Sequence, residues 1–365
     1  MSPFHQFNLK HLCIAMTLCA CSTKTVETPP QDTMPILPAM SAEVYTLAPS
    51  PPKDPVVARI VAGMSYDEAL AGAAAHIALR ISQNEGFDTA DLNWATIQSG
   101  WPYPIQEFRQ LATTKDGDPT ELLAKLEQSP KTRIGVVRAR GQNHDFWVLL
   151  TSEVPLEATP FANTHALGSE FWNPFGQDQG VMLSARGPKG GFLESKRGFL
   201  LDEQGEWLIE AHKGDALLLR AALYVGIEAP TEALVDYRPS IPEETNLQHE
   251  AFLVLNEMHQ IYYNSHPGLR HEPALDLSAK LGLDAALSET EPTAIDVRLE
   301  KLGFHRAPRG EVQCTGQTVR ACLDSLYWSV ENRGTLLSEH HRLAGVASAR
   351  FTDDQILLIL NLAAD

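Results

Sequence analysis

Cysteine is scarce: 365 residues contain five, and no two of them stand as Cys-x-x-Cys. That excludes a thiolate zinc ribbon and a thioredoxin-type redox pair. Long apolar runs are missing too. The longest, Leu12 to Ala20, has nine residues, where a helix needs about twenty to cross a bilayer. Positive charge is in short supply, with 29 Lys and Arg against 46 Asp and Glu and a net charge of −17. No basic stripe offsets the repulsion of a phosphate backbone, so nucleic acid is excluded as a partner. There is no Gly-x-Ser-x-Gly elbow and no His-Glu-x-x-His. The glycines of Gly187-Pro188-Lys189-Gly190-Gly191 lack the spacing of a phosphate loop.

What is present begins with a targeting signal. Met1 to His11 carries Lys10 and no acid, and the apolar Leu12–Ala20 stretch follows it. The stretch ends in Leu18-Cys19-Ala20-Cys21, which resembles the lipobox of bacterial lipoproteins. The resemblance implies cleavage after residue 20, acylation of Cys21 (the palmitate-bearing type of anchor) and export. An ordinary secretory cleavage near Ala20 is the alternative. Ser22, with no acid after the Cys, points to the outer membrane, on its periplasmic or its outward side. Several acyl chains together hold firmly where one does not. Residues 21–55, rich in Pro, Thr and Ser, read as an extended tether. Cys314 and Cys322 then form an even pair in an oxidising compartment. Eight residues along one helix would hold their α-carbons about 12 Å apart, too far for a bond. A disulfide therefore requires the chain to fold back near Gly316, and the spacing leaves bonded and free thiols both open.

The remaining chain reads as an α+β protein. Residues 56–157 form an N-terminal α/β unit: an Ala- and Leu-rich helix from Tyr66 to Ile81, a helix from Asp118-Pro119-Thr120-Glu121 to about Gln128, and strands over Arg133–Arg140 and Asp145–Glu153 around a turn at Gly141-Gln142-Asn143-His144. Residues 158–230, punctuated by glycine, read as a small antiparallel β-sandwich. A Pro- and acid-rich linker covers 231–244. From 245 to 365, helices come first: a stripe of Phe252, Leu255, Met258 and Tyr262, a helix from Glu272-Pro273 to Leu287, one over Val297–Leu302 and one from Gln317 to about Val330. Strands over Leu343–Phe351 and Gln355–Ala363 close the chain around Asp353-Asp354. His340-His341 read as surface residues, His259 as packed or exposed, and Trp101 and Trp172 as loop anchors or parts of a ligand surface.

Several short segments of this last region resemble the CAP superfamily (cysteine-rich secretory, antigen 5 and pathogenesis-related proteins; SCP domain). They are Leu255-Asn256-Glu257, Glu272-Pro273-Ala274-Leu275, Arg298-Leu299-Glu300-Lys301-Leu302-Gly303-Phe304, Gly310-Glu311-Val312, and Leu336-Leu337 followed nine residues on by Gly345-Val346. The resemblance covers about a third of the chain and implies a C-terminal α-β-α sandwich. Family members that bind divalent metal use two histidines, whose places are taken here by Glu289 and Asn332; Glu311 keeps the family identity. The implied cleft is thus Glu289, Glu311 and Asn332. Such a set lacks the imidazole or thiolate that zinc prefers and would suit a hard cation at most weakly, so no metal and no cofactor is expected. Gly135-Val136-Val137-Arg138-Ala139-Arg140 mirrors Gly345-Val346-Ala347-Ser348-Ala349-Arg350, which makes residues 56–157 a candidate for a second, eroded CAP-like unit. The expected function is a membrane-anchored, non-catalytic binding or scaffolding protein of the cell envelope, its partner an envelope protein or an apolar ligand. The alternative is a metal-assisted envelope hydrolase with Glu311 as base or ligand and Glu289 beside it.

Overall fold

Two Ala- and Leu-rich segments, Glu68–Ser82 and Pro273–Leu287, are helices each laid against a β-hairpin, and the protein is a mixed α+β structure built around three sheets. The computed structural model describes residues 43–82, 89–124, 126, 129–140, 144–177, 179–229, 246–262, 268–352 and 355–365. Cys21, the signal-like stretch, the 231–244 linker and the tips of both expected hairpin turns lie outside the described residues. Among the described residues, no helix is long and apolar enough to cross a membrane.

The first sheet follows β1 (Val44–Tyr45), α1 (Pro55–Ile60), α2 (Glu68–Ser82) and α3 (Thr89–Ser99), and consists of β2 (Ile105–Thr114), β3 (Thr132–Arg140) and β4 (His144–Glu153), with α4 (Thr120–Leu123) between β2 and β3. Its order is β2-β4-β3, all antiparallel. Alternation along β4 sends Val148 and Leu150 to Leu70, Ala74 and Ile77 of α2, and Trp147 and Leu149 to Val57 and Leu122 on the other face. Both faces are covered, so the middle of β4, Phe146 to Leu150, is apolar without a break rather than at every second residue.

The middle region holds β5 (Phe161–Ala162), β6 (Thr164–His165), β7 (Ser169–Trp172), β8 (Met182–Arg186), β9 (Phe192–Ser195), β10 (Gly198–Leu201), β11 (Gly205–Lys213) and β12 (Ala216–Val225). Five of these form the second sheet, in the order β6-β12-β11-β8-β9, and β7 with β10 makes a separate two-stranded ribbon. The region expected to be wholly antiparallel thus contains one parallel pair, β12 with β6. Phe171, Phe199 and Leu201 of the ribbon share an apolar cluster with Leu183 and Ala185 of the sheet.

The third sheet lies among α5 (Leu247–Tyr262), β13 (Arg270–His271), α6 (Pro273–Leu287), α7 (Ile295–Lys301), β14 (Arg309–Gly316), α8 (Val319–Tyr327), α9 (Val330–Leu336), β15 (Leu343–Thr352) and β16 (Gln355–Ala363). Its order is β13-β15-β16-β14. Leu357 and Ile359 pack on Ala279 and Leu283 of α6, while Leu358, Leu360 and Leu362 enter the cluster holding Leu255 of α5 and Leu323 of α8. Helices therefore cover both faces.

The first and third sheets share an arrangement. Tyr66 bridges Ile134 in parallel just before α2, as β13 pairs in parallel with β15 just before α6. The sequence of neighbours, Tyr66-β3-β4-β2, has the same order and directions as β13-β15-β16-β14. An acid caps each helix: Asp67 accepts from the amides of Ala69 and Leu70 (2.9 and 3.3 Å), and Glu272 from that of Ala274 (3.3 Å). In both, a glycine lets the strand touch helix backbone. A Cβ on Gly135 would stand 2.3 Å from the Leu70 carbonyl carbon, and one on Gly345 2.2 Å from the Asp276 nitrogen.

Several expectations are corrected. The chain from Glu43 to residue 55 is not tether: Tyr45 is buried and pairs with Phe161. Its hydroxyl donates to the Ala222 carbonyl (3.1 Å) and accepts from the Ala222 amide (3.2 Å). The helix after Asp118 is a single turn, because Ala124 turns extended. The helix expected over 317–330 is α8 and ends at Tyr327, and a further helix that was not expected, α9, starts at Val330 with the extended Ser329 capping it through its hydroxyl. Strand β2 and helix α3 were not anticipated.

Because the two atoms nearest the missing Cβ, the Asp276 nitrogen and the Leu275 carbonyl carbon, belong to main chain, Gly345→Ala is expected to destabilise by about 2–3 kcal/mol. Urea denaturation at equilibrium measures this; an unchanged midpoint would refute the close contact.

Candidate functional site

Glu311 lies on β14, where alternate residues face opposite sides of the sheet. Its carboxylate points to the α6–α7 side, where the Arg298 guanidinium donates to it. Arg298 is buried and also donates to Ser278 Oγ (3.2 Å) and to the Thr293 carbonyl (2.7 Å). The Asn361 amide of β16, turned so that its nitrogen meets the carboxylate, donates to Glu311 Oε2 (2.7 Å) and accepts from Ala279 N and Ser278 Oγ (2.9 Å each). Burial pushes the Glu311 carboxyl up from its ordinary range, and Arg298 pulls it back. Glu311 is thus the acceptor at the centre of a fixed polar cluster.

The neighbouring Gly310 faces the other way: a Cβ there would meet Thr335 Cγ2 of α9 at 2.4 Å. Asn332, on that same α9, bonds to its own cap through Nδ2 to Ser329 Oγ (3.1 Å). Glu311 and Asn332 therefore stand on opposite sides of the sheet. Glu289 is exposed just past α6, at φ 52°. The three residues of the implied cleft are not gathered. Among the described residues, no group of three His, Cys, Asp or Glu is placed to hold a metal ion.

The side of α9 that carries Arg333 and Gly334 is occupied by the second sheet. Arg186 of β8 donates from Nε to the Val330 carbonyl (2.9 Å) and from Nη2 to the Glu331 carbonyl (3.0 Å). Its guanidinium passes so close that a Cβ on Gly334 would stand 2.4 Å from Cζ. Arg333 reaches into the junction, 2% exposed, where its Nη2 donates to Glu206 Oε1 of β11 (2.5 Å). The Tyr327 hydroxyl donates to the same oxygen (2.8 Å), and the Arg333 guanidinium lies 4.3 Å over the Tyr327 ring. Sequence reading missed this buried group. Glu206, an acid set directly before the apolar run Trp207-Leu208-Ile209, was its available signal.

Two histidines finish the C-terminal end of α9. His259 Nε2 bonds the Leu336 carbonyl (2.6 Å) and His341 Nδ1 the Thr335 carbonyl (3.0 Å), which meets the helix's unpaired acceptors. His341 is buried, not a surface residue, and burial pushes its imidazole down to about 4, against the pull of the Thr335 hydrogen bond. Cys314 of β14 and Cys322 of α8 are joined by a disulfide, with α-carbons 5.3 Å apart. Gly316 makes the fold-back: a Cβ there would lie 2.9 Å from the Cys322 nitrogen. Trp101 is fully buried, whereas Trp172 is exposed.

No protein-family model and no curated protein matches the chain. Among solved structures it is similar to an outer surface protein from Borrelia burgdorferi, at 14% identity and a TM-score of 0.29, over 32% of this chain and 90% of that one. It is also similar to a cysteine-rich secretory protein from Staphylococcus aureus, at 13% identity and a TM-score of 0.29, over 78% of this chain and 93% of that one. Neither likeness places the chain in a family.

Two outcomes are expected. Removing Arg333 with Arg333→Met strands a buried carboxylate and should cost about 3–5 kcal/mol, part of which Glu206→Gln restores in the double variant; strictly additive losses in a urea double-mutant cycle would show the pair uncoupled. A lowered folded-state value at His341 means that its contribution is whole above pH ~6.5 and is lost as the pH falls through about 4, by roughly 3 kcal/mol in all. His341→Gln should therefore lose less stability than the parent between pH 7.5 and 4.5; parallel losses would show that another group governs the decline.

Proposed function

We propose that the protein is a non-catalytic binding or scaffolding component of the bacterial cell envelope, exported and held to a membrane through acylated Cys21. In this reading residues 245–365 are a degenerate CAP-like α-β-α sandwich that has exchanged its cleft for structure. One observation carries it: Glu311, the family's surviving acid, is committed to Arg298 and Asn361. A carboxylate already neutralised by a buried guanidinium is a poor ligand and a poor general base, because either role costs the ion pair. The packing of Arg186 against α9 supports the same view, since it makes the α9 surface an internal joint. Residues 56–157 fit as an eroded second copy, on the shared strand order, the acid caps at Asp67 and Glu272, and the glycine contacts at Gly135 and Gly345. Two such units with a sheet region between them would present a broad rigid surface to an envelope partner.

Calorimetric titration of the full chain with zinc and with calcium, parent beside Glu311→Gln, tests this. The scaffold reading expects no stoichiometric heat from either protein. Stoichiometric binding in the parent that disappears in Glu311→Gln would overturn it and move the metal-assisted hydrolase ahead.

A further inference from the structure

The apolar side chains that the fold leaves in solvent are unevenly spread. Trp172 is 59% exposed and Leu200 53% exposed, and both lie on the β7–β10 ribbon. Phe171, Phe199 and Leu201 of the same ribbon are buried beneath it, so strand alternation puts Trp172 and Leu200 together on the outer face. Trp172 pairs with Gly198, two residues before Leu200, which makes the two side chains diagonal neighbours across the ribbon. Edge strand β9 adds exposed Leu193.

Two basic side chains stand beside this face. Exposed Lys196 and Arg197 form the turn that leads into β10, and the turn is tied down beside Trp172: Asn173 donates from its amide to the Arg197 carbonyl (2.8 Å) and from Nδ2 to the Lys196 carbonyl (2.9 Å). Of the basic residues nearby in sequence, Arg186 is committed to the α9 joint, which leaves Lys196 and Arg197 as the cations beside Trp172. Glu170, directly across from Leu200 and two residues before Trp172, shares the outer face with them, so the basic pair lies at one end of the face and one acid lies on it.

The place where the preceding chain joins the fold lies next to it. Glu43 and Val44 lead into Tyr45, whose ring stacks on Phe161 at 5.1 Å, and Phe161 meets Phe171 edge-on at 5.4 Å. Two ring contacts thus connect the entry point to the residue beside Trp172. Cys21 is 22 residues before Glu43, a reach of about 70 Å at full extension.

We propose that the outer face of the β7–β10 ribbon is a membrane-docking surface for a bilayer bearing anionic headgroups, with Trp172 and Leu200 entering the interface and Lys196 and Arg197 pairing with lipid phosphate. An indole suits the headgroup level, where its ring is apolar and its N–H can still find water. Each nearby cation adds an attraction that salt screens. Its apolar side chains are few, so it would hold a fluid interface weakly and reversibly. The proposal uses the anchor reading only for orientation: acyl chains would bring this face to the bilayer, and the face would lay the protein down.

The test is vesicle sedimentation with full chain carrying Cys21→Ser, which cannot be acylated. The vesicles are phosphatidylcholine alone, and phosphatidylcholine with phosphatidylglycerol in equal parts. Binding is expected to the anionic vesicles, to weaken as salt is raised, and to fall about tenfold or more in Trp172→Ser/Leu200→Ser and likewise in Lys196→Glu/Arg197→Glu. All four positions are exposed, and an unchanged urea midpoint confirms that the variants fold. Equal binding by parent and variants, or no preference for the anionic vesicles, overturns the proposal. Mass spectrometry of exported protein, read separately, decides the anchor: an unmodified Cys21 removes the lipoprotein reading and leaves the vesicle result standing.

Discussion

A carboxylate taken out of water must be neutralised where it lies, and Glu206 meets that demand with groups from another part of the chain. Arg333 and the Tyr327 hydroxyl, both of the C-terminal region, supply the donors, while Glu206 sits on a strand of the second sheet. Neither side can bury its half alone without a large desolvation cost. The pair therefore fixes how α9 lies on the second sheet, and the Arg186 contacts to α9 carbonyls add direction to the same joint. Apolar packing is continuous across it: Trp207, Leu219 and Tyr224 belong to one cluster with Leu255, Leu323 and Leu360. The hydrophobic effect has no direction of its own, so the polar contacts select one arrangement among those the apolar surfaces would allow.

That joint accounts for the fate of the cleft implied by resemblance. Asn332 and Arg333 are neighbours on α9, and the helix is committed to the second sheet through Arg333. On the opposite face, Glu311 is committed to Arg298. The separation of Glu311 from Asn332 follows from strand geometry, because adjacent β14 residues Gly310 and Glu311 face α9 and α7 respectively.

Much of the secondary structure was legible. The Ala-rich α2 and the Pro-opened α6 carry both period and cap, and strands β3, β4, β15 and β16 carry long apolar runs because both faces of their sheets are covered. Strand β2, Ile-Gln-Glu-Phe-Arg-Gln-Leu-Ala-Thr-Thr, escaped because an edge strand keeps polar residues and Arg109 serves α4 carbonyls rather than a core. Tyr45 escaped because a single aromatic in a Pro-rich stretch makes no period. The break between α8 and α9 was written at Ser329, whose hydroxyl caps the next helix, yet the apolar spacing runs on across it. For the site, residue types could be read, but not which face each would take. The burial of His341 and the Glu206–Arg333 pair depend on contacts between segments more than a hundred residues apart in the second case, where local pattern carries no information.

The pinning of Tyr45 has a mechanical consequence. Any pull transmitted through the first forty-two residues enters at β1 and meets the Tyr45 hydroxyl bonds to Ala222, on the central strand pair of the second sheet. The load would bypass α1, α2 and the first sheet and pass to β12. The second sheet would then bear tension while the helix-covered units on either side stayed slack, so that such a pull would shift the protein as a whole before it opened either one.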